Sequence, residues 1–105
     1  MTAQSLIALE EANRVRMYRA NVKRGIRSLP KSAGLVEVAG HLDDPMLASM
    51  ELGELLRAVR GFGPRAIVRF CAGAQVFPGK RLGTLTGRQV QVLRSMSAVR
   101  EGQGE

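Results

Sequence analysis

Arg16, Arg19, Lys23 and Arg27 recur at spacings of three, four and four residues, which would set four cations in one row on a helix. The chemistry open to such a row is anion binding, because guanidinium and ammonium groups donate only and grip phosphate or carboxylate. A second set lies further on: Gly61-Phe62-Gly63, then Arg65, Arg69, Lys80, Arg81 and Arg88. Two glycines two apart before a helix start expose backbone N–H groups, and such a nest is a phosphate site. A plain interhelical turn also favours glycine, so it is the cations downstream that point to phosphate. On this reading Gly63→Val would both strain the turn and push a phosphate away.

Other chemistries lack their parts. His41 is the one histidine and lies among acids, and Cys71 is the one cysteine, on an apolar helical face. One His and one Cys build neither a metal site nor a recognisable triad. No enzyme activity, no metal, no cofactor and no small-molecule substrate are expected. Cys71 reads as a small buried hydrophobe.

The cations are also segregated. Seven lie between Ala12 and Val36 and nine between Leu55 and Arg100, with no acid in either stretch. Between them, Glu37, Asp43, Asp44, Glu51 and Glu54 stand with no Lys or Arg. A merely soluble surface mixes both signs, because unlike neighbours stabilise and like neighbours repel. The formal charge is +7 and the pI about 11.1, the footprint of a nucleic-acid or anionic-surface binder.

The elements that must position these residues read as helices. A first one is predicted from about Thr2 or Ser5 to Ser28, with Val15, Tyr18, Val22 and Ile26 as its apolar stripe and Leu29-Pro30 ending it. The cation row falls one residue later, beside that stripe. Ser32 then reads as the cap of a helix over Leu35, Val36 and Val38 that ends near Gly40. Asp44-Pro45 starts a short helix, and Ser49 reads as the cap of Met50 to Val59. Glu51 and Glu54 near that start suit the helix dipole. Pro64 opens a helix to about Ala74 that buries Ile67, Val68, Cys71 and Phe70 and leaves Arg65 and Arg69 outside. Residues 76–85 read as a loop. Thr86 and Gln89 form a capping box for a helix to about Val99, with Val90, Leu93 and Met96 inward.

At 105 residues with 45% hydrophobic and only 4% aromatic content, one small domain cored by Leu, Val, Ile, Met and Ala is expected, a palette suited to helix-on-helix packing. The expected fold is all-α, with a basic N-terminal helix (1–30), a core (31–99) and a flexible tail (100–105). No apolar run approaches the roughly 18 residues of a membrane span, and no leader pattern opens the chain, so a cytoplasmic, membrane-free protein is expected.

The residues Leu55-Leu56, Gly61-Phe62-Gly63, Lys80-Arg81 and Gln89-Val90 resemble the integration host factor of actinobacteria. So do Ala8-Leu9-Glu10 and Arg19-Ala20 with Val22-Lys23. That small nucleoid-associated protein has a long N-terminal helix and a helix-two-turns-helix core of about four to five helices. The resemblance covers nearly the whole chain. It departs where the family's lysine after the second glycine is Pro64, where an arginine becomes Ala66, and where Arg-Gly-Leu-Gly becomes Gly83-Thr84-Leu85-Thr86, which marks a divergent member.

The resemblance implies a nucleoid-associated monomer that binds double-stranded DNA on its phosphate backbone, from the minor-groove side, without strong sequence preference, and bends it. Two separate basic surfaces would make the grip: the row Arg16, Arg19, Lys23, Arg27, and the core set Gly61, Phe62, Gly63, Arg65, Arg69, Lys80, Arg81, Arg88. Reversing the charge of Arg16, Arg19 and Lys23 should then leave melting unchanged. The competing readings are a binder of structured RNA or the ribosome, and an adaptor whose basic helix seizes an acidic partner. Tyr18, Phe62, Phe70 and Phe77 are the only aromatics, and none is expected to be exposed for stacking, which argues against single-stranded RNA but not against a duplex.

Overall fold

Val15, Tyr18 and Val22 are half-buried and Ile26 is fully buried, so the first helix docks by the stripe expected and sinks deeper toward its C-terminal end. This is seen in a computed structural model that describes residues 3–102, with side chains from 5 to 98. Among them the chain is all-helical: α1 (Ala3–Arg27), α2 (Lys31–Gly40), α3 (Leu52–Arg57), α4 (Pro64–Gly73) and α5 (Gly87–Gly102), with single 3-10 turns at Pro45–Leu47 and Leu82–Thr84. The molecule measures 54 × 28 × 21 Å, and residues 5–14 of α1 are exposed throughout. α2 lies against α1, α3 and α5. Leu35 and Val38 of α2 meet Leu52, Leu55 and Leu56 of α3, Ile67, Phe70 and Cys71 of α4, and Leu93 of α5 in one core.

Two expected caps are displaced. The Pro30 carbonyl accepts Gly34 N–H at 2.8 Å, so Pro30 takes the cap position, α2 starts at Lys31, and Ser32 lies inside it. Ser49 does not cap α3 either. Its hydroxyl accepts from Arg19 and its carbonyl from Arg81, while the Met50 carbonyl accepts from Leu82 N–H at 2.9 Å. The backbone here is held extended and α3 begins only at Leu52, with Glu51 at the cap position.

The expected loop 76–85 supplies the other side of that pairing. Gly53 N–H donates to Pro78 O, Leu52 N–H to Lys80 O, and Gly83 N–H to Ala48 O, at 2.8–2.9 Å. A Cβ on Gly83 would stand 2.8 Å from the Ala48 Cβ, so only glycine permits this approach.

Elsewhere local signals hold. Asp44 accepts from Met46 N–H at 3.0 Å, although the element it caps is a 3-10 turn. The Thr86/Gln89 capping box makes both of its reciprocal bonds, at 2.9 and 3.1 Å. Val68 departs from expectation: it is 58% exposed while Ile67, Phe70 and Cys71 are buried. α5 runs beyond Val99 to Gly102, and the rest of the expected tail, 103–105, lies outside the described residues.

Candidate nucleic-acid interface

The cation row of α1 is laid along the start of the core rather than held apart from it. Arg19 donates to the Ser49 hydroxyl. One turn on, Lys23 Nζ sits 3.0 Å from Glu54 Oε2. Another turn on, Arg60 Nε and Nη2 donate to the Arg27 carbonyl at 3.3 and 3.2 Å. Three contacts at one-turn spacing therefore align α1 with residues 49–60, and the two surfaces expected to be separate share a seam. Arg16 bonds within its own helix, to Asn13 at 3.1 Å, and Arg27 joins the seam by its carbonyl alone. Glu54, which suits the helix dipole, also anchors Lys23. Reversing Lys23 would place two carboxylates together, so the expectation of unchanged melting does not survive.

At the end of the seam the glycine turn opens. Gly61 has φ of +77°, which reverses the chain after α3, and Gly63 at the cap position of α4 is extended (φ −84°, ψ −180°). A Cβ on Gly63 would meet no atom within 4 Å. Valine there would not strain the turn, contrary to expectation, and would only stand over the helix start. Pro64 at the first helical position has no N–H, which leaves the Arg65 and Ala66 amides as the open donors of the first turn. Arg27, Arg57, Arg60, Gly61, Phe62 and Gly63 line a shallow depression of about 510 Å³ here. Arg27 comes from the first basic block and the other two arginines from the second, so this is where the blocks meet.

Arg57 and Arg60 are absent from the sequence-derived candidates. Their three-residue spacing on the approach to the glycine turn was the available signal. Phe62, by contrast, serves the core. Its ring is 4% exposed, packs edge-on against Phe70 at 5.7 Å, and carries Lys31 Nζ 5.7 Å from its centroid.

The remaining candidates do not form one face. Arg65 and Arg69 are exposed on α4 and, with Pro64 and Val68, line a second shallow depression. Arg81 donates to the Ser49 carbonyl at 2.7 Å, so it meets Arg19 on the two oxygens of one serine. Lys80 beside it is half-buried. Arg88 lies elsewhere, lining a hollow with Gly73, Ala74, Gln75, Thr86, Gln89 and Val92. That hollow is at the C-terminal end of α4, about 15 Å of helix away from Gly63.

A polar knot secures α1 on its other edge. Tyr18 donates its hydroxyl to Asp44, and His41 lies between Asp44 and Glu37, 3.3 Å from each. Burial alone would raise the Asp44 pKa, but hydrogen bonds from Tyr18, Met46 N–H and His41 outweigh it and hold the carboxyl below its ordinary value. The same hydrogen bond to Asp44, then burial, raises Tyr18. Burial pushes the Cys71 thiol up to about 11, which denies it a nucleophile's role at neutral pH. Among the described residues no group of three or more His, Cys, Asp or Glu could hold a metal, and no helix is long and apolar enough to cross a membrane.

These features define an all-α protein whose basic side chains gather along one helix seam and around a glycine turn. Compared with known proteins, the chain matches no family model, no curated protein and no solved structure.

Proposed function

We propose that the protein is a non-enzymatic, architectural binder of duplex DNA that holds the phosphate backbone and bends the helix, in the manner of the actinobacterial integration host factor it resembles. What carries the reading is the depression at the glycine turn. Arg27, Arg57 and Arg60 line it, and Gly63 at its edge is the cap residue of α4, two residues before the open first-turn amides begin. Charged donors and backbone N–H groups at a helix N-terminus together suit an anion such as a phosphate oxygen. Contacts to the phosphate backbone fix position and carry little sequence information. A nucleoid-associated, cytoplasmic role follows from that mode of binding.

The test is a titration of unrelated duplexes across a salt series. Neutralising about five phosphates gives a log–log slope of roughly −4.5, the same for each sequence. Arg57→Ala and Arg60→Ala should each flatten the slope by about one unit with no change in sequence preference. A flat salt dependence, or a structured RNA that outcompetes duplex DNA, would overturn the reading.

A further inference from the structure

We propose that Phe77 is a wedge that inserts between base pairs of the bound duplex, an inference that rests on the DNA-binding reading above. Three of the four aromatics are accounted for: Phe62 and Phe70 are core, and Tyr18 is tied to Asp44. Phe77 is 70% exposed, which corrects the expectation that no aromatic is free to stack. It stands at the tip of the segment Val76–Arg81, and that tip is rigidly held. Lys80 N–H donates to the Phe77 carbonyl at 3.1 Å, Gly53 N–H to Pro78 O, and Leu52 N–H to Lys80 O. All these bonds belong to the backbone, so the loop keeps its shape without the ring.

Gly79 is bare beneath the ring, since a Cβ there would lie 3.0 Å from Phe77 Cε2. The ring therefore rests on backbone and presents its other face outward. Around it cations outnumber acids, which are Glu51 opposite Arg81 and Glu54, already paired with Lys23. Lys80 and Arg81 follow on the same segment. Gly53, which Pro78 contacts, lies next to Glu54 and hence Lys23, and one helical turn before Arg57.

A stiff tip with an apolar point and flanking cations is what minor-groove wedges use. The cations hold the two phosphate backbones while the apolar group unstacks one step and kinks the duplex. A ring that served only to cover the loop would not need to stay 70% exposed. The cationic flank selects a polyanion over an apolar protein partner, and a duplex offers phosphates on both sides of the opened step.

The experiment compares Phe77→Ala, Phe77→Leu and Phe77→Trp with the parent protein on a perfect duplex, a duplex with one mismatch, and a single strand. Bending is read by energy transfer between labelled duplex ends. Phe77→Ala should melt like the parent and keep its salt slope, because no cation is removed. It should bind the perfect duplex about tenfold more weakly, the loss of one stacking contact, and fail to bend it. The parent should favour the mismatched duplex, whose step is cheaper to open, and Phe77→Ala should lose that preference. Phe77→Leu should retain most of the bend. The chain has no Trp, so the emission of Phe77→Trp should report stacking directly by quenching on duplex.

Equal binding and bending by Phe77→Ala would overturn the wedge and leave the DNA-binding reading intact. Stronger quenching of Phe77→Trp by single strand than by duplex would replace the wedge with a platform for open bases. A parent protein with no salt-dependent duplex affinity would overturn the binding reading and the wedge together, and that result needs no Phe77 variant.

Discussion

Gly61 and Gly63 stand two residues apart in one turn, yet substitution should act on them in different ways. Gly61 has φ of +77°, in the left-handed region where a Cβ costs roughly 1–2 kcal/mol. Alanine also restricts the unfolded chain, which offsets about 0.4–1 kcal/mol of that. The added Cβ would meet nothing nearer than Lys31 Cδ at 4.0 Å, so no clash enters. Gly61→Ala should therefore lose about 1 kcal/mol net, a fall of roughly 4–8 °C in Tm for a domain of this size. Gly63 is extended and open. Gly63→Ser, a favoured residue at a helix cap, should melt at or slightly above the parent. Gly63→Val stands over the Arg65 and Ala66 amides and should weaken duplex binding per folded molecule, at a small loss from the poorer cap. Melting followed by circular dichroism and a duplex titration at fixed salt separate the two effects. The reasoning is refuted if Gly61→Ala melts with the parent, or if Gly63→Ser is the more destabilised of the two.

Lys23→Glu should lower Tm, because it sets a carboxylate against Glu54 where an ion pair of 3.0 Å stood. Arg16→Glu, bonded only within α1, should leave Tm unchanged and reduce duplex affinity. Cys71→Ser should lose stability on the order of 1–3 kcal/mol for a hydroxyl buried without a good partner. The native thiol, 0% exposed and pushed up to about 11, should label slowly with a bulky reagent. The Tyr18–Asp44 bond should make stability fall at both ends of the pH range. The Asp44 share is complete above 3.8 and lost as pH drops through its lower folded value, and the Tyr18 share is complete below 10.0 and lost as pH rises through its raised one. Melts of Tyr18→Phe on either side of pH 10.0 should show the alkaline loss removed.

Legibility followed the range of the interaction. Pro30, Asp44-Pro45 and the Thr86/Gln89 box act within four residues, and all three announced helix boundaries that the fold keeps. Ser32 and Ser49 carry the same local signal and are not caps, because for Ser49 the competing donors, Arg19 and Arg81, come from 30 and 32 residues away. Val68 was misplaced by residue type. The spacing of Ile67, Phe70, Cys71 and Ala74 already completes a helical stripe without it. The end of α4 falls near Ala74, as expected, but the residue that closes it gave no signal. Gln75 adopts φ of 58° and closes a paired Schellman cap, with its own N–H to Ala72 O and Val76 N–H to Cys71 O at 3.0 Å, where glycine is the usual residue. At the candidate site the cations were visible as a list, and their sorting was not. Whether Arg27 belongs with Arg57 or apart from it depends on how α1 lies, and α1 is placed by Ile26, Tyr18 and Glu54 together.

The fate of the acids explains why charge segregation in the sequence becomes a usable surface in the fold. Glu11 is paired with Arg14, Glu37 with His41, Asp43 with Arg94 and Glu54 with Lys23, and Asp44 takes Tyr18 and His41. Two of these pairs join α1 or α5 to the middle of the chain, so the acidic segment 37–54 works as an internal counterweight to the basic blocks. Among the described residues no carboxylate lies in ion-pair range of Arg27, Arg57, Arg60, Arg65, Arg69 or Arg88. Exposed pairs contribute little to stability, but those to Arg14, Lys23 and Arg94 each neutralise a cation. Among the unpaired arginines Arg16 and Arg88 lie apart, but Arg27, Arg57 and Arg60 gather at the glycine turn and Arg65 and Arg69 along α4. Their fields therefore add within the Debye length of about 8 Å at physiological salt. A polyanion with regularly spaced charges gains from that addition at every phosphate, whereas a single carboxylate partner would use only one member of the cluster.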